Sequence, residues 1–348
     1  MFEKSFITDC EGPLTLNDNA FEICAHFIDD GDKLFKILSQ YDDYLVDIVK
    51  KDGYKAGNTL KLILPFFVLE KLTNDDLIDF SKSNIYAVRD SKFLLKYLKE
   101  TMNTYIVSTS YGQYIEALSN YMEFPFENTY YTNVDVDSLS LNDEDLSKIS
   151  EFKTQILKNP EDYELFDEIF FSEIPKMDIY ENIKKIDVIG GIGKKLAIDD
   201  IIENDKIDIN NILYIGDSIT DVEPLAFARD NGGISISFNG NEYPLKVAEI
   251  AIVSPSAVTT AVIANVYAKY DKSKVLQFID EYNVNDDLEK LFKEYDINLE
   301  INDKFFDVFN NDEFPIIKII TQENYEEILK ESVNMRNNIR GDDIGGLG

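Results

Sequence analysis

The chain has 348 residues, with 34 Lys and Arg against 66 Asp and Glu, a formal charge of −32. Such an acidic surface repels DNA, RNA and anionic lipid over a Debye length of about 8–10 Å, which excludes a nucleic-acid partner from the expectation. Hydrophobic residues make up 44% of the chain, enough for a sizeable core in one large domain with insertions or in two domains. Cys10 and Cys24 are the two cysteines and stand in no paired metal-ligand spacing, so neither a disulfide framework nor a zinc site is expected. The longest apolar run, residues 62–69, contains Pro65 and is far shorter than the ~20 residues of a membrane span. With no signal-peptide pattern at the start, the reading is a cytoplasmic protein without membrane insertion. The single histidine, His26, lies in a helical apolar pattern and is expected to be half-buried, which leaves acid-base chemistry to carboxylates.

In chain order, short apolar runs that end in Asp, Ser or Gly alternate with helical patterns, the mark of a parallel sheet with crossover helices. Residues 5–8 run into Asp9. A stretch of helical periodicity follows over 18–85, with Leu34, Phe35, Ile37 and Leu38 and then Leu45, Val46, Ile48 and Val49; it is too long for one crossover and reads as an inserted helical cap. Residues 105–107 run into Ser108. An acidic insertion spans about 138–185, with a helix start at Asn142-Asp143-Glu144-Asp145. Residues 212–215 run into Gly216-Asp217, and 234–238 into Asn239-Gly240. The parts 1–17 and 86–256 thus make up an α/β core, a doubly wound parallel sheet whose strand ends converge where ligands bind. From 257 onward a C-terminal extension is expected: an Ala/Val-rich helix over 257–268, amphipathic helices over 275–282 and 288–295, a strand within 314–321, and a mobile tail over 341–348.

Four strand-end or helix-start segments carry groups with chemical potential. Asp9-Cys10-Glu11-Gly12-Pro13-Leu14 sets a carboxylate just past a strand with Gly12 to allow a tight turn. Asp9 is there a nucleophile on phosphorus, a metal ligand, or an ordinary turn cap. Ser108, followed by Thr109-Ser110, puts a hydroxyl and backbone N–H groups where a helix N-terminus would favour phosphate, or simply caps the helix. Lys194-Lys195, after Gly190-Gly191-Ile192-Gly193, open a helical pattern; a lysine there neutralises a phosphoryl group or is a solvated surface charge. Gly216-Asp217-Ser218-Ile219-Thr220-Asp221 offers two carboxylates four residues apart, a hard-oxygen set suited to Mg²⁺ or an acidic turn on an acidic protein.

The four together, in this order, resemble the haloacid dehalogenase-like (HAD) superfamily. Its motifs are DxD, a Ser or Thr after a strand, a Lys, and GDxxxD, matched here by Asp9/Glu11, Ser108, Lys194 and Asp217/Asp221. Lys194-Lys195-Leu196-Ala197-Ile198 is similar to the KGxAL pattern of the phosphoserine-phosphatase-like branch, which favours Lys194 over Lys195. The resemblance covers residues 5–16 and 86–256 and implies a HAD-like Rossmannoid core. It also implies roles: Asp9 as the nucleophile, Glu11 as the proton donor and then base, and Ser108 and Lys194 on the phosphoryl oxygens. Mg²⁺ would be held by Asp9, the Glu11 carbonyl and Asp217, with Asp221 in support. Glu11 and Pro13 depart from the usual Asp and Thr or Val, although a DxEG form occurs in enolase-phosphatase-like branches.

The Asp9–Leu14 segment with a large helical insertion, the lysine segment and the C-terminal Met335-Arg336-Asn337-Asn338-Ile339-Arg340-Gly341 are similar to an archaeal HAD-like family. Methanogens carry that family as subunit R of energy-converting hydrogenase A. Two functions are therefore expected from resemblance. The first is a Mg²⁺-dependent phosphatase for a small phosphomonoester, working through an aspartyl-phosphate. The alternative is a non-catalytic or regulatory HAD-fold subunit whose partners are the subunits of a membrane hydrogenase. Arg89, Lys55, Asn58 and Lys61 are candidates to meet the substrate.

Overall fold

The computed structural model describes residues 2–310 and 314–347. Its centre is a seven-stranded sheet: β1 (Ser5–Thr8), β2 (Asn103–Tyr111), β3 (Thr129–Thr132), β4 (Ile212–Gly216), β5 (Ile234–Phe238), β6 (Ile250–Val253) and β7 (Ile316–Ile319). The spatial order is β3-β2-β1-β4-β5-β6-β7, and every neighbouring pair is parallel except β6 with β7. The central strands are Ile-, Leu- and Tyr-rich and buried along their whole length, as expected of parallel strands covered by helices on both faces.

One face packs through Phe6, Ile106, Leu213 and Ile236 against the helices Ser91–Thr101, Gly112–Met122 and Val258–Lys269. The other packs through Ile7, Val107 and Tyr214 against the helix Ile192–Asp205 and the helix Val222–Asp230. The segment from 257 is continuous with this body. Val258, Ala261, Val262 and Ile263 are fully buried in the first face, and β7 extends the sheet by an antiparallel edge. The amphipathic helices expected there run Lys272–Val284 and Leu288–Glu294.

Beside the sheet stands a helical body with its own core. Leu34, Leu38, Phe66 and Phe67 from the first insertion share it with Ile149, Ile156, Phe166 and Ile169 from the second. The two acid-rich insertions are thus halves of one structure, joined by burial of the apolar stripes that neither can cover alone. Asn142 caps the helix Asp143–Lys158 by accepting the Asp145 N–H at 2.9 Å, at the start read from its sequence.

Two local expectations need correction. His26 is exposed: the helix Asn19–Phe27 buries Ala20, Phe21, Ile23 and Cys24, and His26 falls on the opposite side, against Phe27 and Phe80. The tail is ordered through Leu347; it forms a short turn of helix, Asp342–Gly345, and Ile344 and Leu347 pack on the core of the helical body. Among the described residues no helix is long and apolar enough to cross a membrane.

Candidate functional site

Strand register determines what meets at the carboxyl edge. Thr8 stands level with Ile106 on one side and Ile215 on the other. Asp9 is one residue past that line, and Ser108 and Asp217 are each two past it. The Asp9 N–H continues the ladder to the Ile215 carbonyl at 2.9 Å, so the carboxylate leaves the sheet in a defined direction. The chain then turns at Gly12, whose φ of +101° suits glycine, and a Cβ there would lie 2.2 Å from the Asp217 carboxylate. The turn thereby lets the first and last acidic segments touch.

Lys194 enters from the first turn of the helix Ile192–Asp205 and is fully buried. Its Nζ lies 2.8 Å from Asp9 Oδ2 and 2.7 Å from Asp221 Oδ1. Lys195 points away to Asp199 and the ring of Phe227, so Lys194 is the lysine of the site. Ser108, Thr109 and Ser110 line the same cavity, of about 120 Å³, with Asp9, Glu11 and Asp217. Ser108 does not stand at a helix N-terminus as expected. β2 continues to Tyr111 with its register against β3 shifted after Val107, the helix starts at Gly112, and the Ser108 hydroxyl accepts the Ser110 N–H at 3.2 Å. This irregular strand end turns the three hydroxyl residues toward Asp9.

An acid just past β1, a hydroxyl on β2 and the first acid after β4 thus line one cavity, and the buried Lys194 on the helix before β4 touches both Asp9 and the second acid, Asp221. The chain has an α/β fold, a seven-stranded and mostly parallel sheet with these segments at its carboxyl edge. No protein-family model matches it, and no curated protein matches its sequence. Among solved structures, the gene product AF1437 from Archaeoglobus fulgidus superposes at a TM-score of 0.83 with 27% identity, over 99% of both chains. A phospho-aspartyl intermediate analogue of phosphoserine phosphatase matches at a TM-score of 0.46 and 13% identity, over 72% of this chain and 93% of that one. β-Phosphoglucomutase from Clostridium difficile gives 0.35 and 14%, over 82% and 100%. The first of these resembles the chain throughout, C-terminal region included.

Electrostatics in this site are dominated by burial. Desolvation, with the charge of Asp221, pushes Asp9 up to about 8 against the pull of Lys194. Burial would lower Lys194, but Asp221 and Asp9 hold it above the ordinary lysine range. Burial also opposes the charge on Asp221; Lys194 and the Tyr214 hydroxyl outweigh it and keep that carboxyl below its usual value. Glu11 is driven well above the usual carboxylate range by burial and by Asp18, and its Oε1 accepts the Asn19 N–H at 2.7 Å. Its side chain is thereby tied to the start of the helix Asn19–Phe27 while still lining the cavity.

Asp9, Asp217 and Asp221 each offer an oxygen, all within 4.8 Å of one another, close enough to share a metal ion. Their hydrogen bonds decide whether they suit one. Asp221 Oδ1 accepts from Lys194 and Tyr214, and Oδ2 from the N–H groups of Asp217 and Ser218, so its four acceptor positions are filled. Asp221 is thus held by Lys194 and Tyr214 on one oxygen and by backbone N–H groups on the other. Asp217 Oδ2 is held by two guanidinium groups from the C-terminal helix Tyr325–Arg340, those of Arg336 and, at 3.1 Å, Arg340. The donor set as it stands does not fit a divalent ion, because cations of the chain itself already stand on it.

Arg336 and Arg340 are the residues that motif reading missed. A signal was present: the chain contains only four arginines, and two of them lie four apart on one helix. Conversely, Arg89 is exposed beside Asp90 and Asp307 and away from the cavity. Lys55, Asn58 and Lys61 line a second cavity, of about 260 Å³, between the halves of the helical body with Phe170, Ile174 and Asp187.

Proposed function

We propose that the chain is a phosphohydrolase acting on a small phosphomonoester through an aspartyl-phosphate at Asp9. The observation that carries this reading is that Asp9, in a cavity also lined by Ser108 and Glu11, is in contact with the buried Lys194. An Asp9 oxygen attacks phosphorus in line, the P–O bond to the leaving group breaks, and Glu11 gives the departing oxygen its proton. Glu11 then takes a proton from water, whose oxygen attacks phosphorus and releases phosphate from Asp9. A Glu held in its neutral form by burial is suited to the first role. Lys194 and the Ser108 hydroxyl meet the charge spread over the phosphoryl oxygens, the main requirement of this transition state. The helical body closes the cavity against bulk water, and the small volume argues for a small substrate.

Mg²⁺ enters from the sequence resemblance, with Asp9, the Glu11 carbonyl and Asp217 as its ligands. The arginines on Asp217 speak against that set, and no step above runs through a metal. A second reading, a non-catalytic subunit that docks on hydrogenase partners, draws support from the engagement of Glu11 with Asn19.

The test is release of inorganic phosphate from a panel of small phosphomonoesters by the wild type and Asp9→Asn. We expect turnover to fall by at least about 10³-fold in Asp9→Asn with thermal unfolding unchanged within a few degrees. The nucleophile works ionised, so kcat/KM should rise with pH until Asp9, at about 8, has lost its proton. Turnover that survives Asp9→Asn rules out the assignment.

A further inference from the structure

The guanidinium groups of Arg336 and Arg340 stand on the carboxylate that the sequence motif assigns to a metal, and each is built into place. Arg336 Nη1 donates to both the carboxylate and the main-chain carbonyl of Asp217, while Nε and Nη2 donate to the carbonyls of Gly345 and Leu347 at 2.8 and 3.1 Å. Arg340 Nη1 donates to Asp217 Oδ2 at 3.1 Å, and Nε and Nη2 to the carbonyls of Leu16 and Asn17 at 3.1 and 2.6 Å. Five backbone carbonyls therefore orient the two planar forks, and both side chains are almost completely buried. The helix that carries them is anchored separately: Ser332 Oγ donates to the Gly240 carbonyl at 2.6 Å, and Ile328 packs with Leu245 and Ala251.

Charge arithmetic points the same way. With Asp9 ionised, Asp9, Asp217 and Asp221 contribute three negative charges and Lys194, Arg336 and Arg340 three positive ones, so the cluster then balances within the chain. Arg336 and Arg340 together supply two positive charges, the charge of one divalent ion, at the oxygen where that ion would bind. Both also line the cavity with Asp9 and Ser108, and Arg340 spends only three of its five N–H donors on the contacts above. A guanidinium fork matches phosphate oxygens in geometry as well as charge.

We propose that Arg336 and Arg340 are the resident cation of this site: they hold Asp217, supply the positive charge for a phosphoryl group bound at Asp9, and let the chain bind phosphate without a divalent metal. The inference deepens the phosphohydrolase reading and rests on it.

The experiment uses the full chain freed of metal by EDTA and two probes, inorganic phosphate by calorimetry and Mn²⁺ by electron paramagnetic resonance. The wild type should bind phosphate in EDTA with a Kd that added Mg²⁺ leaves within about twofold, and should hold no Mn²⁺ at the site. Arg340→Gln, which keeps side-chain volume and removes the charge, should weaken phosphate binding at least about tenfold. Arg336→Met should bind Mn²⁺ at least about tenfold more tightly than wild type, since it removes one of the two guanidinium groups on Asp217. Arg340→Gln leaves Arg336 on Asp217 and carries the test if Arg336→Met fails to fold. Phosphate bound only in the presence of Mg²⁺, with stoichiometric Mn²⁺ on the wild type, overturns the inference and leaves the phosphohydrolase reading standing. Phosphate bound under neither condition overturns both.

Discussion

The floor and the roof of the Asp9 cavity bury acids in opposite ways. On the floor, made by the strand ends, Asp221 is kept ionised by the fully buried Lys194, and Asp217 carries two arginines. On the roof, made by the helical body, burial raises Asp42 to about 6. It raises Asp43 to about 8, with help from the charges of Asp42 and Asp47. Among the described residues no lysine or arginine offsets either one. Asp42 instead accepts the Gly57 N–H at 2.9 Å and caps a turn of the chain. Desolvation is the same cost in both places; the floor offsets it with cations, and the roof with protons and backbone N–H groups. Asp9 lies between these regimes, since it shares its one lysine with Asp221.

Breaking the floor should have the largest effect. Lys194→Met strands two buried carboxylates and should cost about 3–5 kcal/mol in urea unfolding at neutral pH. A loss under 1 kcal/mol would mean that Asp9 and Asp221 do not depend on that lysine. Truncation of residues 342–348 is milder, because Arg336 keeps Asp217 and loses only the Gly345 and Leu347 carbonyls. A loss of about 1–3 kcal/mol is expected; unchanged stability would show the ordered tail to be incidental.

The roof should respond to pH and barely to mutation elsewhere. Asp43 has its folded pKa near 8 against an ordinary 3.8, so the folded state binds more protons than the unfolded one between those values. Its contribution therefore falls as pH rises from about 4 to about 8 and is level outside that window. Asp43→Asn should raise the melting temperature above pH 8 and match the wild type near pH 4. A constant gap across the range would sink the protonation account of the roof.

How far the sequence could be read differs by element. Ile212–Gly216 and Ser5–Thr8 announce themselves by unbroken apolar runs before an acid, and parallel pairing carries Asp9 and Asp217 to one edge almost by necessity. Ser108 was found by the same rule, but its surroundings were misread, because a register shift inside β2 is not encoded in hydrophobic period. Lys55, Asn58 and Lys61 line the second cavity and not that of Asp9, because both halves of the helical body have similar apolar stripes and only their mutual packing shows which faces are left over.

The resemblance to the KGxAL pattern favoured Lys194 over Lys195; by itself, the sequence determined the α/β class and the four strand ends. These depend on local pattern and on rules of sheet topology that hold for every chain. The tertiary structure decided that Asp221 pairs with Lys194, that Glu11 is tied to Asn19, and that Arg336 and Arg340 reach Asp217 from more than a hundred residues away. Those contacts depend on how the C-terminal helix docks against the sheet edge. Charge pairing is a property of distance in space, and separation along the chain carries no record of it.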